Sequence, residues 1–354
     1  MRWMNHLAAT MLVATTTVSP GLTRAADSEA GAEDSVIVYT FVINSVSDGV
    51  DIPLIGFVNI GRGSHRGAHI GFVNSSAGAF QGVQVGFVNT AGLDVTGVQA
   101  GFINIAGGQG RGPQVGFVNS TGGDGRGAQV GFLNSTGGSF RGPKIGFVNT
   151  TSGPALGPNV GFVNTATDAV GLQVGFINAT RTLRGVQLGF VNSVESIEGG
   201  FPLGFVSVVR QGGYRAFELA VTETHPLSAS FKLGIPWIYT SFVLALDPGT
   251  IRRSASGLGI GSVVPLTDTV YFNPEIQSST TFEVGNRQFV SLTPAVGFRV
   301  APRLDLVAGP SVVWSYSHGN REPLSPWFQF GGWSPNERQE IFVGFKLALR
   351  VTTS

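Results

Sequence analysis

Across residues 56–207 the chain repeats one short cycle of apolar and polar positions. Gly-Phe-(Val/Ile/Leu)-Asn begins at Gly56, Gly71, Gly86, Gly101, Gly116, Gly131, Gly146 and Gly161, fifteen residues apart, then at Gly175 and Gly189 after steps of fourteen. A further copy at Gly204 has Ser207 in the asparagine place. Within a unit Val83, Val85 and Phe87 alternate with Gln84, Gly86 and Val88, the period of two that a strand requires. The glycines, with Pro113, Pro143 and Pro158, exclude a helix. Antiparallel neighbours would put odd and even connectors at opposite ends of a sheet and let them differ, yet all are alike. The cycle therefore predicts a parallel β-solenoid whose ~15-residue coils stack ~4.8 Å apart. In such a stack Phe and Val are expected in a dry interior and Asn in a ladder of amide hydrogen bonds at the bends. Phe72, Asn74, Phe87, Asn89, Phe117, Asn119, Phe132, Asn134, Phe147 and Asn149 are the ladder's core members.

After residue 208 the cycle stops and a plain alternation replaces it. In "LSASFKLGI" (227–235) Leu227, Ala229, Phe231, Leu233 and Ile235 share one face and Ser228, Ser230, Lys232 and Gly234 the other; "IFVGFKLALRV" (341–351) behaves alike. Similar runs near 214–223, 238–247, 256–264, 268–277, 288–300 and 303–316 give eight to ten strands of bilayer-crossing length, predicting an antiparallel β-barrel. A soluble β-sandwich is the alternative, since it alternates too. Trp237, Trp314, Trp327 and Trp333 and most of the tyrosines fall here, as aromatic girdles would. Glu218, Lys232, Glu275, Arg299, Asp305, Lys346 and Arg350 then face the lumen, where a mixed set of charges pairs into a plug.

The ends of the chain complete the layout. Residues 1–25 read as an export signal: Arg2, a short apolar core at 7–18, then small residues. Residues 26–49 form an acidic leader and a degenerate capping strand, 50–207 the solenoid and 208–354 the barrel-like domain. Export without a long apolar helix leaves a barrel as the way into a membrane.

Composition narrows the chemistry. A formal charge of +1 offers no field for nucleic acid, and the absence of cysteine removes disulfides and thiolate sites. The repeat's few acids, Asp94, Asp124, Asp168, Glu195 and Glu198, are too scattered for a catalytic cluster, so neither catalytic residue, cofactor nor metal is expected. His65 reads as a solvated connector residue, and His69 stands where other units have glutamine. Arg111, Arg126 and Arg141 precede the opening glycine of three consecutive units and would form a basic strip, fit to hold phosphate or carboxylate or else simply solvated.

The units "GVQVGFVN" (82–89), "GPQVGFVN" (112–119), "GLQVGFIN" (171–178) and "GVQLGFVN" (185–192) resemble bacterial surface-repeat proteins built from G-(L/V)-Q-(I/V/L)-G-(L/F)-(V/I)-N units, which join a repeat array to a barrel-like C-terminal region. The resemblance covers residues 50–207 and implies placement at the surface or outer membrane of a Gram-negative bacterium. The reading is thus a non-enzymatic, structural or adhesive protein. Its expected partners are outer-membrane lipid, lipopolysaccharide or another anionic glycan, or an envelope protein. A small outer-membrane pore and a secreted carbohydrate-active enzyme are the alternatives.

Overall fold

A computed structural model describes residues 37–249, 251–282, 287–317, 330–336 and 338–353. The expected export signal and most of the leader lie outside the described residues. The chain is all-β, a parallel β-solenoid followed by a closed antiparallel eight-stranded barrel.

Each solenoid coil carries short strands, as in Gly110–Arg111, Gln114–Val115 and Val118–Thr121, and each pairs in parallel with its equivalent one coil on. Asn104 lies on Asn119 and Asn119 on Asn134, with no slip. The capping strand Ile43–Val46 joins this register, Asn44 on Asn59. Two glycines per unit make the stacking possible. The opening glycine (Gly82, Gly97, Gly112) has φ of 133–139°, a region L-residues avoid. The second is needed for close approach: a Cβ on Gly86 would lie 2.1 Å from the Gly71 carbonyl oxygen of the coil before.

The interior of the coils is the reverse of the expected one. The repeat's Asn and Gln point in and the Phe, Val and Ile of the GFVN motif and the strand before it point out, although Leu54, Phe80, Val95 and Phe140 also face in. Asn89 is fully buried and Phe87 is 43% exposed. The alternation is as read, but its sense is inverted, for two physical reasons. Each ladder asparagine from Asn59 to Asn178 has an in-register asparagine above and below, so burial leaves its amide satisfied. The bend at Gly86 also turns the following Phe out of the corner.

The barrel strands are β1 (Tyr214–Val221), β2 (Leu227–Ile235), β3 (Ile238–Leu246), β4 (Ala255–Gly261), β5 (Val270–Thr281), β6 (Arg287–Ala301), β7 (Leu304–Ser317) and β8 (Gln339–Thr352). They pair in chain order, and β8 closes the sheet on β1 through Glu218 opposite Arg350. A short strand, Gly331–Asn336, pairs with the free edge at the start of β8. Outward positions such as Phe217, Leu219, Phe231, Leu258, Ile276 and Leu306 are apolar and exposed.

The last coil of the solenoid is capped by the outer wall of β2–β3. Ile235 and Ile238, outward residues flanking the turn at Pro236–Trp237, pack with Val194 and Val209 from the solenoid interior. Thr240 Oγ1 donates to Gly204 O at 2.8 Å, Phe205 meets Phe242 edge-on at 5.0 Å, and Phe201 meets Trp237 at 4.9 Å.

Candidate functional site

Two features stand out: the charged filling of the barrel and the ordered columns of the solenoid. In the barrel, period-two alternation aims Glu218, Lys232, Glu275, Asp305, Lys346 and Arg350 inward, and all six are buried. Lys232 Nζ lies 2.6 Å from Glu275 Oε1 and 3.3 Å from Glu218 Oε1. Lys346 Nζ bridges the same two acids at 2.7 and 2.9 Å. The Arg350 guanidinium donates to Glu218 Oε2 at 2.5 and 2.8 Å and to Asn273 Oδ1 at 2.6 Å. The same guanidinium reaches the Tyr214 and Tyr271 hydroxyls at 3.1 and 3.3 Å, and Tyr271 in turn donates to Asp305 Oδ2 at 2.8 Å. Three cations thus face three acids in this network, and a fourth buried acid, Glu223, accepts from Ser311 Oγ at 2.6 Å. The pocket next to this network, lined by Lys346, Glu223, His225, Ser291 and Ser311, has a volume of about 30 Å³, room for roughly one water rather than a ligand.

Arg299 is not part of this filling. It keeps the inward parity, opposite Asp305, but stands at the rim where β6 ends, and there it is exposed and donates to the Asp268 carbonyl at 3.1 Å. Sequence reading also missed Tyr214, Tyr239, Tyr271 and Asn273, which complete the interior. A signal for the tyrosines exists: each faces a glycine on the next strand, Tyr214 opposite Gly234, Tyr239 opposite Gly261 and Tyr271 opposite Gly297. A Cβ on Gly297 would lie 2.0 Å from the Tyr271 ring. These tyrosines fill the lumen instead of joining a girdle. Of the tryptophans, Trp237 is exposed at one end of the barrel, Trp314 and the exposed Trp333 mark the other, and Trp327 lies outside the described residues.

The solenoid interior is built from columns. Asparagine amides donate from each coil to the next at 2.7–3.0 Å, from Asn44 to Asn192, where Ser207 ends the chain of bonds. Each also caps a bend carbonyl, as Asn119 Nδ2 does to Val130 O at 3.0 Å. A glutamine column runs beside it, Gln84 to Gln129, bonded at 2.7–2.8 Å. Lys144 replaces glutamine in that column. Its Nζ donates to Thr136 Oγ1, Thr151 Oγ1 and Thr150 O and sits 4.6 Å from the Phe140 ring centre, and burial drives its pKa down to about 7. His69 holds the glutamine place one coil below Gln84, as read. His65 is not solvated: it is buried against the tilted ring of His69 at 4.5 Å and stacks on Phe80 at 6.1 Å, because its position points inward in every coil. Burial lowers the pKa of both rings, His69 to about 3 with His65 beside it, so the pair is neutral.

Outside the coil, Phe57 to Phe205 form one column of eleven rings with centroids 4.6–5.0 Å apart and planes within 6° of parallel. The ladder residues Phe72, Phe87, Phe117, Phe132 and Phe147 are thus in register, but on the surface. Arg111, Arg126 and Arg141 pair directly coil to coil and are exposed, so the basic strip exists, with Arg111 donating to Gln109. The nearby Asp124 is used structurally: Ser139 donates to it from both N–H and hydroxyl, at 2.7 and 2.8 Å.

Among the described residues no group of three or more His, Cys, Asp or Glu could hold a metal ion, and no helix is long and apolar enough to cross a membrane. Compared with known proteins, the chain matches no family model, no curated protein and no solved structure.

Proposed function

We propose that this chain is a non-enzymatic outer-membrane protein of a Gram-negative bacterium, held in the bilayer by its barrel and presenting a stiff repeat surface. One observation carries the reading: the barrel keeps its charges inside, mutually paired, and turns Leu, Ile, Val and Phe outward between tryptophan-marked ends. A soluble sandwich has the opposite economy, and lipid is the solvent in which this one is favourable. The resemblance of the repeat to surface-repeat proteins supports the same placement. A pore is disfavoured because the network from Lys232 to Arg350 crosses the lumen. The basic strip gives the repeat a means of holding phosphate or carboxylate on an anionic envelope glycan, or an acidic patch of an envelope protein.

Fractionation of expressing cells, with gel mobility before and after heating, tests this reading. Carbonate-resistant recovery in the outer membrane, faster migration when unheated and no steady current across planar bilayers are expected. Recovery as soluble periplasmic protein would overturn the membrane reading, and a steady current would overturn the plug.

A further inference from the structure

The solenoid is amphipathic about its own axis. One side carries the Phe column and, beside it, exposed Ile55, Ile70, Val85, Val115, Val130, Ile145 and Val160 stacked coil on coil. A separate exposed column holds Arg66, Gln81, Thr96, Arg111, Arg126 and Arg141, and the connector acids Asp94 and Asp124 are exposed too. At the ~4.8 Å strand spacing the eleven rings make an apolar strip roughly 50 Å long, well beyond what scattered surface residues give a water-soluble chain. The strip lies outside the coil, whose interior is already filled by the amide columns and by inward Leu54, Phe80, Val95 and Phe140.

We infer that the solenoid lies along the membrane, with its Phe and Val/Ile side sunk into the acyl chains and its arginine side at the headgroups. This rests on the barrel being inserted, and three observations choose lipid as the occupant. The strip is continuous with the barrel's outer wall, for Phe205 at its end packs edge-on against Phe242, an outward residue in the middle of β3. The stack is capped by outward residues of β2–β3, Ile235 and Ile238, so its axis leaves the wall sideways, along the bilayer rather than across it. And the exposed basic residues keep to a column of their own, separate from the strip, as in amphipathic elements that lie in a membrane interface over anionic headgroups.

The chain has no cysteine, so single labels can be placed cleanly. Nitroxides at Phe117→Cys, Val130→Cys, Arg126→Cys and, on the barrel wall, Leu306→Cys are read in the full chain reconstituted into phosphatidylethanolamine/phosphatidylglycerol vesicles. Collision with oxygen reports lipid and collision with a nickel chelate reports water. The expected oxygen-to-nickel ratio at positions 117 and 130 matches that at 306 and exceeds that at 126 several-fold. Nickel access at 117 and 130 with 306 still in lipid would overturn the inference and leave the barrel reading standing. Nickel access at 306 as well would sink the barrel reading beneath it. Shielding of 117 and 130 from both reagents would overturn lipid in favour of a second copy of the chain.

Discussion

At the scale of single residues, the coil is held by amides whose partners exist only because the repeat stays in register. Asn119 accepts from Asn104 and donates to Asn134 and Val130 O, so Asn119→Ala strands partners on both sides and should cost about 2–4 kcal/mol. Phe117→Ala, removing a half-exposed ring, should cost about 1 kcal/mol in micelles. Thermal denaturation in detergent compares the two; a larger loss for Phe117 would restore a Phe-filled core. Lys144 sets a pH dependence. Its folded pKa, near 7, lies below the unfolded value of 10.5, so protonation favours the unfolded chain between those two. Solenoid stability should therefore rise by several kcal/mol from pH 7 to pH 10.5 and be flat below 7. Lys144→Gln, continuing the glutamine column, should raise the melting temperature at pH 7 and abolish that slope.

At the scale of elements, legibility differed between the two halves for a reason visible in their side chains. In the barrel, alternation alone sorted Glu218, Lys232, Glu275, Asp305, Lys346 and Arg350 to the inside, because a charge facing lipid is costly and the parity of a strand admits two answers. It failed at Arg299, which keeps the parity opposite Asp305 but lies at the rim, because parity says which face a residue takes and not how near the barrel's mouth it stands. In the solenoid the period and register could be read from the glycines, but the direction of the faces could not. The rule that apolar residues point inward presumes water outside, and Asn on Asn stacking removes the usual cost of burying amides. His65 was misplaced by the same presumption. The network also yields an energetic test: Glu218→Gln leaves Arg350, Lys232 and Lys346 undercompensated and should cost about 3–5 kcal/mol, seen as a lower temperature for loss of the fast-migrating band. Pairing Glu218→Leu with Arg350→Met should recover part of that loss.

At the scale of the whole molecule, the barrel is asymmetric and so is the docking. The solenoid packs beside the tight turn at Pro236–Trp237, at the end that also holds the barrel's first and last residues, Tyr214 and Thr352. Apart from the link between β4 and β5, connections at the other end are longer, the longest running from Ser317 to Gln339 and including the added strand. Short turns of bacterial outer-membrane barrels face the periplasm, so a membrane-impermeant maleimide should label Arg126→Cys only after permeabilisation. Labelling in intact cells would put the repeat on the cell exterior.

The central claim is that both halves turn their apolar surface to lipid while polar groups satisfy one another within. Neutron reflectometry on a supported bilayer holding the full chain measures this directly. The account predicts protein density through the hydrocarbon layer and, on one side only, a rise of roughly 20 Å or less, the width of one coil. Density absent from the hydrocarbon layer, or a layer standing roughly 50 Å off one face as an upright stack would, contradicts it.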